Sequence, residues 1–567
     1  MITPKLRSGA GVTMKRLSIK ALRVTAWGRQ VAAGAKRKAC AGARDERGVV
    51  AIIFALSLVV LAPLILGLFD IYTASEQRAK LQDALDAAAL YAARSDYMTD
   101  AEISTAGTKA LNANLQLIRG ATLISSSFHL TDNNTKVTAS ATIQPMALAP
   151  GFWAHPSVTA STEATRSSKN LEVALVLDIT NSMNSPSSKI ADLRTAAQDL
   201  VDLVVKDQQT PYYSKVAVVP WSVGVNVGTY AAQVRGAITP KTITGATKAN
   251  PVVITAANHG FNNNDIVYID SSVGGMTQIR DTLFTVKNKT ANTFQLYTMA
   301  GATVNGTSYS AFTSGGGVSC TTTGCPYYRF VNGDNSATKT FKLSTCVSER
   351  IGAQAYTDAA PSTALVGVNY PAQTGVAGTA IQTQNPCPTN TIVPLSTDKT
   401  AVKAMIAGLQ ATASTGGQVG VAWGWYMLSP NFAYLWPSAS QPGPYNDDDT
   451  MKVVVLMTDG ALNTAYCNGV IAKDSLTGSG DIKDHSNCNA TNGSTFSQST
   501  TLCTNMKAAG IIVYTVGFQI SGDVPATNLM NSCATDPAHV YLPTTGSALQ
   551  DAFHAIGQDI NGLHLSH

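Results

Sequence analysis

The chain has 567 residues, 45% of them hydrophobic and only 13% charged, and its 45 glycines follow no triplet period. That excludes a disordered or collagen-like chain, and the length calls for several domains. The formal net charge of +5 conceals two regions of opposite sign: up to Arg47 there are 12 basic residues against two acidic ones, a net of +10, which leaves −5 for the remainder. The basic segment reads as topogenic charge attracted to anionic lipid head groups, so no nucleic-acid partner is expected. A start at Met14 would shorten this tail without changing its sign.

From Gly48 to Phe69 the sequence GVVAIIFALSLVVLAPLILGLF runs 22 residues without a charge, enough for a helix to cross a hydrocarbon core of about 30 Å. Pro63 is tolerable in a membrane helix. A cleaved signal peptide is the competing reading, but its apolar run is usually about 7 to 15 residues and ends at a small-residue cleavage site. This run is longer and continues into a polar helix. Lys36, Arg37, Lys38, Arg44 and Arg47 precede it closely, whereas only Arg78 and Lys80 follow nearby. Residues 1–47 are therefore expected inside, 48–69 in the membrane and the rest outside. Cys40 falls on the inner side and eight cysteines on the outer (Cys320, Cys325, Cys346, Cys387, Cys467, Cys488, Cys503, Cys533). An even number in an oxidising compartment predicts up to four disulfides without fixing their pairing. A zinc site at Cys320 and Cys325 lacks a second ligand pair at suitable spacing.

After the span, DIYTASEQRAKLQDALDAAALYAARS contains no helix breaker and places Leu81, Leu85 and Ala88 on one stripe, so the helix is expected to continue outward. Residues 96–168 read as short β-like runs such as KVTASATI (Lys136 to Ile143), giving a small pilin-like α+β region over 70–168. The stretch from Arg47 to Ser95 resembles the N-terminal segment of the TadE/TadG-like proteins of bacterial tight-adherence (Flp pilus) systems. Pilin-type subunits cleaved by a prepilin peptidase carry a Glu five residues after the processed Gly; counted from Gly48, that place holds Ile53. The departure implies a TadG-like protein that keeps its anchor, in a bacterial inner membrane with the N-terminus cytoplasmic and the C-terminal region extracytoplasmic.

NLEVALVLDITNSM opens as a buried parallel strand and ends in Asp178, Thr180 and Ser182, a D-x-T-x-S pattern where open α/β sheets place their ligands. A hard divalent cation such as Mg²⁺ takes oxygen ligands and retains waters. Two hydroxyls at alternate loop positions can face one ion while Asp178 balances charge. Turn or cap roles are open to the same residues, and Ser185 or Ser187 suits the cap of a helix beginning near Ser188. MKVVVLMTDGALNT repeats the strand design and ends at Asp459, while ASTGGQVGVAWGWYMLSP offers Thr415 on a glycine-rich loop before a helix. In this order Asp178, Thr180, Ser182, Thr415 and Asp459 resemble the metal-ion-dependent adhesion site of von Willebrand factor A domains. Trp423 to Trp425 and Leu428 to Pro430 resemble TadG-like sequences in particular. The resemblance implies Mg²⁺, or another divalent cation such as Mn²⁺ or Ca²⁺, and a protein partner that contributes an acidic residue.

SKVAVVPWSV (Ser214 to Val223), CTNMKAAGIIVYTVGFQI, HVYLP and SALQDAFHAIGQDINGLHL supply further alternating strands and helices. The expected fold is α/β, a doubly wound, Rossmann-like von Willebrand A domain over 169–223 and 395–567. Cys503 and Cys533 flank its penultimate strand as a candidate disulfide. Far more chain separates Val223 from Thr415 than a βα loop needs. Within it, 243–317 has evenly spaced strands with Asn/Gly turns, and NPVVIT and TANTFQL resemble the FCCH-type β-domain, which implies an inserted small β-domain. Residues 318–394 read as a loop-rich, cysteine-containing second part.

No enzyme is expected. A dehalogenase-type phosphatase needs a carboxylate where Thr180 stands, and a serine hydrolase needs a nucleophile elbow. Asp447, Asp448 and Asp449 read as a solvated loop rather than a calcium site. Trp423 and Trp425, two apart on a helix, are not expected on one core face. These residues point to Flp pilus assembly or surface attachment through a metal-dependent adhesion site, with a partner in the pilus machinery or the envelope. The alternatives are a pilus-independent cation-dependent adhesin and a secreted hydrolase.

Overall fold

The computed structural model describes residues 46–95, 99–115, 120–131, 136–146, 157–165, 169–207, 209–210, 212–372 and 385–566. The basic tail to Asp45, with Met14 and Cys40, lies outside the described residues. Two compact units are present.

The first is built on α1 (Glu46–Ala93). Its first half exposes its large apolar side chains from Val50 to Tyr72, and among the described residues it is the one helix long and apolar enough to cross a membrane. Its second half turns into a core element: Leu81, Leu85, Ala88 and Ala92 are buried at helical spacing. Next come α2 (Asp100–Leu115) and a three-stranded sheet of β1 (Thr122–Thr131), β2 (Lys136–Gln144) and β3 (Val158–Thr165). Gln82 donates to the Ser161 carbonyl at 3.2 Å, and Gln77 Oε1 accepts from the Met146 N–H at 3.2 Å, which ties α1 to this sheet.

Helix α2 corrects the expectation of β-like runs from residue 96 onward. Thr99 and Glu102 form a reciprocal cap: the Glu102 N–H donates to Thr99 Oγ1 at 3.3 Å, and the Thr99 N–H donates back to Glu102 Oε2 at 3.3 Å. Ile103, Ala106 and Leu111 then form a buried stripe. A side chain at Gly107 would lie 2.5 Å from the Phe128 ring of β1, so glycine sets the close approach of helix and sheet.

The second unit begins with β4 (Asn170–Asp178), α3 (Ser188–Val204), β5 (Ser214–Trp221), β6 (Val225–Asn226) and α4 (Ala231–Arg235). An antiparallel half-barrel follows: β7 (Lys241–Thr242), β8 (Gly245–Ala246), β9 (Val253–Thr255), β10 (Ile266–Ile269), β11 (Thr282–Lys287), β12 (Thr293–Tyr297) and β13 (Gly317–Cys320). Ile254, Val267, Phe284, Phe294 and Leu296 fill its interior. The hairpin β14 (Tyr327–Val331) and β15 (Thr338–Lys342) leads to β16 (Cys346–Ser348) and β17 (Gly367–Val368), which extend the main sheet through β6.

The chain returns through β18 (Val393–Ser396), α5 (Lys399–Ala407), α6 (Gly417–Leu428), β19 (Thr450–Thr458), the small pair β20 (Tyr466–Cys467) and β21 (Val470–Ile471), and α7 (Thr495–Ala508). It closes with β22 (Ile512–Gly517), α8 (Val524–Cys533), β23 (Val540–Tyr541) and α9 (Gly546–Ser566).

Strands β5, β4, β19, β22 and β23 are parallel neighbours in that order, and β18 joins β5 antiparallel. This is the order of a doubly wound parallel sheet, extended beyond β5 by antiparallel strands. In β4, Ala174 and Val176 face a core shared with α6, α7 and α8. Val173, Leu175 and Leu177 face the opposite core, shared with α3, α5 and α9. Burial on both faces explains the unbroken apolar run. Strand β18 carries Pro394 where its pairing with β5 is irregular, a place at which a missing N–H costs little.

Eight cysteines pair as Cys320–Cys325, Cys346–Cys387, Cys467–Cys488 and Cys503–Cys533. The last links α7 to α8 beneath β22.

Candidate metal centre

Strands β4 and β19 end side by side, and Asp178, the last residue of β4, and Asp459, the residue after β19, bring two carboxylates to one place. Asp178 is fully buried. Its Oδ1 accepts the Thr180 N–H at 2.8 Å, and its Oδ2 accepts Thr458 Oγ1 at 2.7 Å and the Asp459 N–H at 3.4 Å. The chain then bends so that Thr180 Oγ1 and Ser182 Oγ stand 2.8 Å apart, and Ser182 Oγ donates to Asp459 Oδ1 at 2.5 Å. Four of the five candidate ligands thus form one connected cluster, and Ser182 opens it to solvent.

Thr415 belongs to a loop docked against the same bend. The Asn181 N–H donates to the Ala413 carbonyl at 2.9 Å, and the Gly416 N–H to the Ser222 carbonyl at 2.7 Å. Asn463 fixes Thr415 by accepting its N–H at 3.0 Å and donating to its carbonyl at 2.9 Å. Behind this loop, α6 lies so close to the sheet that a Cβ at Gly420 would stand 2.6 Å from Trp221, and one at Gly424 2.5 Å from Val176. The glycine-rich spacing is a packing requirement that holds the Thr415 loop at the strand ends.

The electrostatics are unbalanced. Burial first, and the nearby Asp459 charge second, push the Asp178 carboxyl up to about 7, although Thr180 and Thr458 hold it lower than it would otherwise stand. Every donor to Asp178 named above is neutral. Asp459 has a cationic partner: Lys189 Nζ, in the first turn of α3, lies 2.9 Å from its Oδ2, and both side chains are buried. The described residues hold no cluster of three or more His, Cys, Asp or Glu suited to a metal. The donors here are two carboxylates and three hydroxyl-bearing residues, an all-oxygen set that suits a hard divalent cation, and Asp178 lacks a counter-charge that such an ion would provide.

Three contributors were missed from sequence: Thr458, Asn463 and Lys189. A lysine in a helix's first turn opposes the helix dipole. That position was itself a signal that a carboxylate faces it. Ser187 precedes α3 but makes no side-chain cap hydrogen bond.

Trp423 and Trp425 are both buried, in the same core, contrary to expectation, because α6 is enclosed on all sides. Trp425 Nε1 donates to Tyr445 Oη at 2.8 Å, which donates to Asp358 Oδ2 at 2.6 Å. Ser429 and Asn431 donate to the same Asp358 oxygen, so the W-G-W and L-S-P residues anchor the inserted chain.

Residues 48–95 match the Flp pilus-assembly TadE/G-like family. No curated protein matches the chain. Among solved structures, the von Willebrand factor domain of the type V pili tip protein Mfa5 from Porphyromonas gingivalis is 10% identical, with 70% of this chain and 96% of that one covered at a TM-score of 0.31. The pilus adhesin SpaC from Lactobacillus rhamnosus GG, open conformation, is 10% identical at a TM-score of 0.28; 78% of this chain is covered, but the match spans about a third (34%) of SpaC. Von Willebrand factor type A from Catenulispora acidiphila is 11% identical, with 78% and 51% of the two chains covered at a TM-score of 0.24. Scores this low add nothing to what the strand order itself establishes. The chain joins a TadE/G-like segment over residues 48–95 to a doubly wound α/β sheet with an inserted antiparallel half-barrel.

Proposed function

We propose that this is a membrane-anchored, extracytoplasmic TadG-like protein of Flp pilus assembly or surface attachment, and that Asp178, Thr180, Ser182, Thr415 and Asp459 bind one divalent cation, Mg²⁺ foremost. The observation that carries the proposal is the convergence of two strand-end carboxylates and the Thr180 and Ser182 hydroxyls into one hydrogen-bonded cluster, open to solvent at Ser182. A bound cation would supply a positive coordination position for an acidic residue of a protein partner. Ser182 can turn a lone pair toward the ion while donating its proton to Asp459, and Thr180 can do the same while donating to Ser182. Asp178 and Asp459 balance the ion's charge, directly or through water. The role is binding, not catalysis. The apolar half of α1 supports anchorage, the basic flank supports a cytoplasmic N-terminus, and four disulfides support an oxidising outer compartment.

The test is thermal unfolding of the full-length protein in detergent with Mg²⁺ or EDTA, beside Asp178→Ala. Mg²⁺ should stabilise the wild type and leave the variant unmoved. An identical response of both would overturn the metal site. Capture of a pilus component from envelope extract in Mg²⁺ but not EDTA would support the assembly role; Mg²⁺-dependent adhesion by cells lacking the pilus machinery would favour a pilus-independent adhesin.

A further inference from the structure

The five proposed ligands do not include the one cation that the cluster already contains. Lys189 Nζ lies 2.9 Å from Asp459 Oδ2, with only 10% of the lysine side chain and 1% of the aspartate side chain exposed. Asp459 Oδ1 is taken by Ser182 at 2.5 Å, so both oxygens of this carboxylate are engaged without any metal. Such a lysine is not a surface ornament. It stands where the helix dipole disfavours positive charge, and it is drawn from water, a cost that only a specific carboxylate offsets.

We infer that Lys189 is a tethered counter-cation of the metal centre: it holds Asp459 and Ser182 in place when no ion is bound, and its charge opposes the incoming divalent cation, so it sets the affinity of the site. The inference rests on the metal-site reading above. Formally, Asp178, Asp459 and Lys189 together carry one negative charge; without the lysine they carry two. A charge of that kind a few ångströms from a dication, in a partly buried site, acts strongly on affinity. The lysine thereby exchanges tight metal binding for an assembled site that responds to the surrounding cation concentration.

The experiment measures Mg²⁺ binding by calorimetry and metal-free thermal unfolding on the full-length protein, for the wild type, Lys189→Met, Lys189→Arg and Lys189→Met/Asp459→Asn. Lys189→Met should lower the metal-free melting temperature and tighten Mg²⁺ binding by about tenfold or more, while Lys189→Arg stays near the wild type in affinity. The double variant should regain part of the lost metal-free stability, because the uncompensated carboxylate is gone. If Lys189→Met binds Mg²⁺ no more tightly than a wild type that does bind it, the inference falls and the metal site stands. If the double variant recovers no stability, the lysine acts through packing and the inference again falls. If neither the wild type nor Lys189→Met binds Mg²⁺, the metal-site reading fails and takes the inference with it.

Discussion

The same two strands, β4 and β19, carry buried charge at both ends, and the ends are built on opposite principles. At the amino end Glu172 Oε2 accepts Lys452 Nζ at 2.5 Å, with 0% and 4% of the two side chains exposed. Tyr213 Oη and the Gly443 N–H complete Glu172 at 2.9 and 2.8 Å, and Lys452 donates further to the Leu428 carbonyl at 3.0 Å. One carboxylate meets one ammonium, the remaining polar groups are paired, and the result is a closed clamp between strands and the preceding loop. At the carboxyl end two carboxylates share one lysine, hydroxyls stand among them, and Ser182 is exposed. Charge balance, where burial alone does not, separates the paired amino end from the carboxyl end proposed to hold a cation.

The largest expected effect lies at the closed end. Lys452→Met leaves Glu172 buried and unpaired and should cost about 3–5 kcal/mol in denaturant unfolding, with the Mg²⁺ response of the surviving fold unchanged. An altered Mg²⁺ response would mean that the two ends are not independent. At the open end, Asp178→Asn should cost less in the absence of metal, yet abolish the Mg²⁺ stabilisation, which amounts to about 2.7 kcal/mol at a hundred times the dissociation constant.

Acidity provides a smaller effect with a definite sign. Asp178 is raised from 3.8 to about 7, and burial raises Glu349 from 4.5 to about 7. Between the ordinary and the raised values the folded chain binds more protons than the unfolded one, so these groups make metal-free stability fall as pH rises from about 4 through about 7. We expect each of the two groups to contribute a loss of roughly 2 kcal/mol, read from unfolding midpoints at pH 5 and 7.5. Mg²⁺ should remove the Asp178 share, Asp178→Asn should remove the same share, and the Glu349 share should persist in both. A pH slope untouched by either would show that Asp178 ionises normally. The mildest change is Ser182→Ala, which deletes one hydroxyl and should weaken Mg²⁺ binding by about tenfold, about 1.4 kcal/mol.

What the sequence discloses about this molecule follows its periodicity. Strands β4, β5, β19 and β22 are buried on both faces, so each appears as an uninterrupted apolar run, and the aspartates at two strand ends were legible with them. Helix α2 was not, because Ala, Gly, Thr and Asn dilute its apolar stripe; the Thr99/Glu102 cap was the readable signal. Strand β18 has four residues and a proline, too short for any period. The helical-wheel argument for Trp423 and Trp425 failed because it presumes one solvent-facing side, which α6 lacks. Lys189 escaped because the contact that explains it, with Asp459, spans 270 positions in sequence.

The most direct test is the binding stoichiometry of Mn²⁺ on the full-length protein, read by electron paramagnetic resonance of the free ion in titration. One Mn²⁺ per chain is expected, displaced by Mg²⁺ and absent in Asp178→Asn. No bound Mn²⁺ in the wild type, or an equal amount in the variant, would contradict a metal centre at the carboxyl end of β4 and β19.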